Sequence, residues 1–190
     1  MTTTLTPLAI SALALLNERA MHPYEMYQLL LERHEDRIVR VTPGSLYRTV
    51  ERLTTDGFAQ ATGTEREGNR PERTTYAITP GGRTALVSRI REILRAPINE
   101  FPSFALALAE AHNAPASAVC SDLRDHLEVI DGELADIDCL VDKAKAQQVA
   151  EAYWVTADYI KHMNLAQQDW IRGFIDRLER GDLPWPHPQP

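Results

Sequence analysis

Residues 42–57, Thr42-Pro43-Gly44-Ser45-Leu46-Tyr47-Arg48-Thr49-Val50-Glu51-Arg52-Leu53-Thr54-Thr55-Asp56-Gly57, spell out a helix with both of its ends. Thr42 supplies a side-chain cap, and Pro43 occupies the first helical position, where its missing N–H costs nothing. Leu46, Val50 and Leu53 recur at i, i+4 and i+7, so one stripe of the helix is buried. The Asp56-Gly57 pair ends it in a turn. Gly44, Ser45, Arg48, Arg52 and Thr55 fall on the opposite side, with Tyr47 and Thr49 on the flanks. Hydroxyls, two guanidiniums, a glycine and a single acid, Glu51, suit a groove lined with phosphates and base-edge acceptors. By itself the window also fits a surface helix with solvated arginines, so its neighbours decide.

Upstream, Thr6-Pro7 followed by Leu8, Ile10, Ala12, Leu13, Leu15 and Leu16 predicts a first helix, mostly buried. His22-Pro23-Tyr24-Glu25 opens a second, with Met26, Leu29 and Leu30 inward. Ile38–Val41 reads as a short extended piece. Three short helices, the third with a polar outer face, make a helix-turn-helix. Downstream, Phe58–Thr64 and Thr74–Thr79 read as strands joined by a turn-rich tip carrying Arg66, Arg70 and Arg73. That tip alone could be a solvated loop, since Glu65, Glu67 and Glu72 balance its arginines. Joined to the preceding helices it is a wing that reaches the adjacent minor groove or backbone. Thr79-Pro80-Gly81-Gly82-Arg83 then starts a helix with Leu86, Ile90, Ile93 and Leu94 inward, running to about Ala96. Pro97 and Pro102 mark a boundary.

The second half reads as helical throughout. Phe101–Ala111 is short and apolar. A long helix from Pro115 carries Leu123, Leu127, Ile130, Leu134, Ile137, Val141 and Ala144 on a heptad seam, with carboxylates on its other faces. A last helix, from about Gln147 to Arg180, places Val149, Tyr153, Ile160, Met163, Trp170, Phe174 and Leu178 on a matching seam. This much apolar surface has too few partners in its own chain, which points to dimerisation through helix pairing. The predicted fold is mainly α. A winged helix-turn-helix of three helices and a two-stranded wing covers residues 1–96, a helical dimerisation and possible effector domain covers 97–182, and a proline-rich tail covers 183–190.

Charge is divided as sharply as fold. The chain of 190 residues has a formal net charge of −7, yet residues 1–95 sum to +2 and residues 96–190 to −9. Such asymmetry fits one half that meets a polyanion and another that keeps the protein soluble. No apolar run of membrane-spanning length occurs. Leu5–Leu16 lacks a basic leader and is expected as a core helix. Cys120 and Cys139, on one helix and ~28 Å apart along it, cannot bridge within a chain; two reduced cytoplasmic thiols are expected. The six histidines form no zinc-type pair with cysteine, and no nucleophile, phosphate-loop or dinucleotide motif is present. No enzyme activity, cofactor or metal is expected.

The order His22-Pro23-Tyr24-Glu25-Met26, Thr42-Pro43-Gly44-Ser45-Leu46-Tyr47-Arg48, Asp56-Gly57, Asn69-Arg70-Pro71-Glu72-Arg73 and Tyr76-Ala77-Ile78-Thr79-Pro80-Gly81-Gly82 resembles the PadR family of bacterial transcriptional regulators. The acidic helical second half is similar in pattern to a longer subgroup. The resemblance implies a winged helix-turn-helix homodimer, usually a repressor, on an inverted repeat near its own promoter or an adjacent gene. It implies Thr42, Gly44, Ser45, Tyr47, Arg48 and Arg52 on a recognition helix, to which the spacing adds Thr49; Arg48 and Arg52 are expected to contact bases or phosphates, and Ser45 and Thr49 to contact phosphate. It further implies Asn69, Arg70, Pro71 and Arg73 in the wing, and Tyr24 at a phosphate-facing helix start. A small aromatic or cationic effector is implied as well, with Tyr153, Trp154, Met163 and Trp170 as candidate contacts. The dimer seam is assigned to Leu123, Leu127, Ile130, Leu134, Ile137, Val141, Tyr153, Ile160, Met163, Trp170 and Phe174. The rival expectation is a winged-helix protein-interaction scaffold without sequence-specific DNA binding.

Overall fold

A computed structural model describes residues 4–65, 73–96, 98 and 100–186. The chain divides into two units, residues 1–99 and 100–190.

In the first unit, α1 (Pro7–Glu18), α2 (Pro23–Glu32) and α3 (Pro43–Thr55) each begin with proline behind a side-chain cap, from Thr6, His22 and Thr42 respectively. Buried Leu8, Ala9, Ala12, Leu13, Leu15 and Leu16 cover α1 nearly all round, because α3, α4 and β2 all pack on it. Each such leucine contributes about 1.5–3 kcal/mol of burial. Leu46, Val50 and Leu53 of α3 close the core, as their spacing requires. Gly57, at φ +76°, ends α3 in a Schellman turn: its N–H donates to Thr54 and the Phe58 N–H to Leu53.

The wing is an antiparallel pair of β1 (Ala59–Glu65) and β2 (Arg73–Ile78), with an irregularity between Ala61 and Gly63. Met21, between α1 and α2, adds a further rung by exchanging two backbone hydrogen bonds with Tyr76 at 3.0 and 3.1 Å. Helix α4 (Pro80–Arg95) follows, capped by Thr79. Two expectations need correction here. Ile38 does not extend but turns, its N–H donating to Glu35 at the end of a short 3-10 segment. In α4 only Leu86 of the expected inward set is buried, and Ile90, Ile93 and Leu94 are exposed. The first-unit core covers the early turns of α4 and no more.

The second unit contains α5 (Ser103–Glu110), α6 (Ala116–Ala146) and α7 (Val155–Glu179). Helices α6 and α7 form an antiparallel hairpin. Its register is written in cross-pairs: Arg124 with Glu179, Asp131 with Gln168, Glu133 with Asn164, and Asp138 with Lys161. The expected final helix starts at Val155 rather than Gln147. Helix α6 ends in a Schellman turn built on Gln148 at φ +56°, with the Val149 N–H donating to Ala144 at 2.9 Å. Val149 and Tyr153 therefore leave the seam, and Tyr153 is 83% exposed.

The seam residues of α6 also have a partner within the chain, contrary to expectation. Leu123, Ile130, Ile171 and Ile175 are buried together, with Leu127, Leu134, Phe174 and Leu178 packed on them. Ile137 is buried, and Val141 and Ile160 are half-buried. Trp185 is anchored too. It packs on this core and its indole N–H donates to the Ala114 carbonyl at 2.9 Å.

Candidate nucleic-acid interface

Helix α3 presents the face its sequence implies, and its start is locked in place. The Thr42 hydroxyl accepts the Ser45 N–H at 3.1 Å, and the Ser45 hydroxyl accepts the Thr42 N–H at 2.9 Å, a reciprocal capping box. The Ser45 hydroxyl also donates to the Thr42 carbonyl at 2.9 Å. Ser45, expected to contact phosphate, thus has its hydroxyl hydrogen engaged within the turn. Thr49, expected to contact phosphate, is only 9% exposed, and its hydroxyl donates to the Ser45 carbonyl at 2.8 Å. Helix α1 crosses α3 on that flank and covers it. At Gly44 nothing lies within 4 Å of where a Cβ would stand, so the backbone there is bare.

Arg48 and Arg52 are exposed and one turn apart. With Thr6, Leu8, Ser45 and Thr49 they line a shallow depression of about 410 Å³ between the start of α1 and α3. Arg52 donates to the Thr6 hydroxyl at 3.3 Å, the same oxygen that accepts the Ala9 N–H to cap α1. Tyr47 is 38% exposed and meets His22 edge-on, ring centroids 5.6 Å apart. Tyr24 is exposed in the first turn of α2, where the His22 ring accepts its N–H at 3.1 Å. Thr6 and His22 escaped the sequence reading as parts of this surface because both announce themselves only as caps.

Of the wing residues, Arg66, Asn69, Arg70 and Pro71 lie outside the described residues, and Arg73 is placed by its backbone as the first residue of β2. Ion pairs brace the ends of α1 and α2. Arg33 binds Glu18 and Arg19 binds Glu25, each at 2.5 Å, and each guanidinium holds its carboxyl below the usual range. Burial pushes the Glu35 carboxyl up.

The fold of residues 12–88 matches in sequence as well. They fit the profile of the transcriptional regulator PadR-like family. Residues 12–88 form a PadR-like domain. No curated protein matches the chain by sequence. Among solved structures, PadR of Bacillus subtilis in complex with operator DNA is 17% identical with a TM-score of 0.76, over 91% of this chain and 99% of that one. The same protein with p-coumaric acid is 16% identical with a TM-score of 0.75, over 90% and 98%. A PadR-like regulator from Bacillus cereus is 16% identical with a TM-score of 0.63, over 92% and 99%. At such identities the likeness is one of fold, and it extends beyond the PadR-like domain into the helical second unit.

The four effector candidates in that unit are not gathered at one point. Tyr153 is in the turn before α7, while Trp154 lies under the Lys145 ammonium, 5.4 Å from its ring, and donates its indole N–H to Val149. Met163 and Trp170 are half-exposed on one face of α7, the latter stacked on Phe174 at 5.1 Å. Trp170 is sixteen residues beyond Trp154, ~24 Å along the helix. Among the described residues no group of His, Cys, Asp or Glu could hold a metal ion, and no helix is long and apolar enough to cross a membrane.

Proposed function

We propose that the chain is a homodimeric DNA-binding repressor of its own or a neighbouring operon, released by a small aromatic or cationic effector. One observation carries the reading: the PadR-like domain holds α3 with Arg48 and Arg52 on its outward face and its backbone bare at Gly44. The operator-DNA complex of Bacillus subtilis PadR, alike in fold, supports it. In this reading Arg48 and Arg52 contact base edges or phosphates, and Tyr47 and Tyr24 contact the backbone. Thr42, Ser45 and Thr49 hold the helix start, and the wing from Arg66 to Arg73 enters the neighbouring groove. Two such helices about a two-fold axis read half-sites ~34 Å apart.

The dimer face proposed is the exposed apolar stripe of α7, Val155, Tyr159, Met163 and Trp170, because the α6 seam is already covered. The p-coumaric acid complex of Bacillus subtilis PadR supports an aromatic effector. Such a ligand acts by changing the spacing of the two recognition helices, so a tight ligand that left DNA affinity unchanged would refute this step.

The test is fluorescence anisotropy of the full chain on labelled duplex from upstream of its own gene, beside a scrambled duplex, at two salt concentrations. Expected are preference for the upstream duplex, weakening with salt, and a loss of ~1–3 kcal/mol on Arg48→Ala. An Arg48→Ala loss equal on both duplexes would make Arg48 a phosphate contact. Indifference of binding to sequence, salt and Arg48 would favour the protein-interaction scaffold.

A further inference from the structure

His22 has a task that capping does not explain. It precedes α2 as its N-cap, with φ −82° and ψ 146°, and its Nδ1 accepts the Tyr24 N–H at 3.1 Å. The Glu25 carboxylate accepts the His22 backbone N–H in return and is itself paired with Arg19, so the turn is closed from both sides. Ser, Thr, Asp and Asn are the favoured residues at such a position. What histidine adds is a second nitrogen on the far side of the ring. That Nε2 lies 3.5 Å from the Tyr47 hydroxyl oxygen on α3, with the two rings edge-on at 75°.

The cap fixes which way this contact runs. A neutral imidazole carries one hydrogen. Because Nδ1 accepts from Tyr24, the hydrogen is on Nε2, and Nε2–H donates to the Tyr47 oxygen. A phenol likewise has a single hydrogen, which is then directed away from His22. Tyr47 is exposed, next to Arg48 on the outward face of α3. We propose that His22 is a positioning residue that tethers Tyr47 and makes its hydroxyl an outward hydrogen-bond donor to acceptors on DNA, phosphate oxygens or base edges. The same ring couples the start of α2 to the middle of α3. This rests on the reading of α3 as the recognition helix.

The test compares the full-length wild type, His22→Asn, Tyr47→Phe, the double variant and Arg48→Ala on the upstream duplex, each with its denaturation midpoint. Asparagine keeps a good cap for α2 and is too short to reach Tyr47. Expected is an unchanged midpoint in His22→Asn with affinity lowered about three- to tenfold. Tyr47→Phe should lower affinity by a similar factor, and the double variant no further, because both remove one interaction. Nitrogen NMR of the wild-type ring supplies a second readout, in which Nδ1 should be the unprotonated nitrogen at neutral pH. Additive losses in the double variant, or the opposite tautomer, would overturn the proposal even if His22→Asn were poorly folded. So would wild-type affinity in His22→Asn while Arg48→Ala is weakened. If Arg48→Ala also binds as wild type, the recognition-helix reading fails first and the tether with it.

Discussion

Gly82→Ala should destabilise the PadR-like domain, whereas Gly81→Ala beside it should not. The start of α4 is pressed against the backbone that leaves α3. Thr79 donates its N–H to the Phe58 carbonyl at 3.0 Å and its hydroxyl to Gly57 at 2.7 Å, while accepting the Gly82 N–H at 3.0 Å. A Cβ on Gly82 would stand 2.1 Å from the Phe58 oxygen and 2.9 Å from Ile78 Cγ1. Relief requires a shift of about 1 Å. The obstructing atom is a carbonyl held by Thr79, so no flexible side chain can yield. Overpacking of this kind costs about 1–3 kcal/mol. Loosening one of the Thr79 bonds adds about 1 kcal/mol, and the better helix propensity of alanine returns about 0.5–1 kcal/mol. The net is about 1–3.5 kcal/mol, a sizeable share of the 5–15 kcal/mol of a typical domain. At Gly81 the nearest atoms are 3.6 and 3.9 Å away, ordinary contact distances, so alanine there should be neutral or mildly stabilising. Urea denaturation of both variants, followed by circular dichroism, measures the difference. Equal midpoints for Gly81→Ala and Gly82→Ala would refute the close approach.

Acid should weaken the first unit through two of its ion pairs. Glu18 and Glu25 have lowered folded-state pKa values, owing first to hydrogen bonds from Arg33 and Arg19, so their contribution is complete above about pH 5 and is lost as pH falls through those values. The urea midpoint should therefore hold from pH 7 to about 5 and decline below, less steeply in the Glu18→Gln/Glu25→Gln double variant. Glu35 carries the opposite sign, because burial raises its pKa and penalises its ionised form in the folded state. Glu35→Gln should raise the midpoint at pH 7, with the gain gone below about pH 4. For the proposed dimer face, Met163→Glu/Trp170→Glu should yield a folded monomer by sedimentation, whereas Ile130→Glu, inside the hairpin core, should unfold the second unit. A double variant that stays dimeric would move the interface elsewhere.

Helix α3 was legible because every local signal agreed: cap, proline, stripe and terminal glycine all specify one helix with one buried side. The end of α6 was hidden by the same logic in reverse. Its left-handed residue is Gln148 rather than glycine, so no punctuation marks the turn before Val155. The burial of Thr49 was not legible, because a helical wheel gives direction but not the width of the neighbour lying across it. Trp185, between two prolines, reads as tail until the Ala114 carbonyl and Phe174 are seen beside it.

Periodicity states that a stripe is buried without saying by what. The α6 seam from Leu123 to Val141 was read correctly as apolar and periodic, yet its cover is α7 of the same chain. The reason is visible in polar residues of α7 that meet α6. Gln168 is buried and donates to Asp131, Gln167 meets His126, and Asn164 reaches Glu133. Each is satisfied by a group on α6, so these positions fix the hairpin register instead of breaking a seam. That leaves Tyr159, Met163 and Trp170 exposed along the flank of α7. The α3 surface proposed to meet DNA follows the same rule on a smaller scale. Arginine spacing locates the face, but in the proposed reading the part played by Tyr47 depends on where one hydrogen points. In that reading the direction is set by His22, the cap of a different helix.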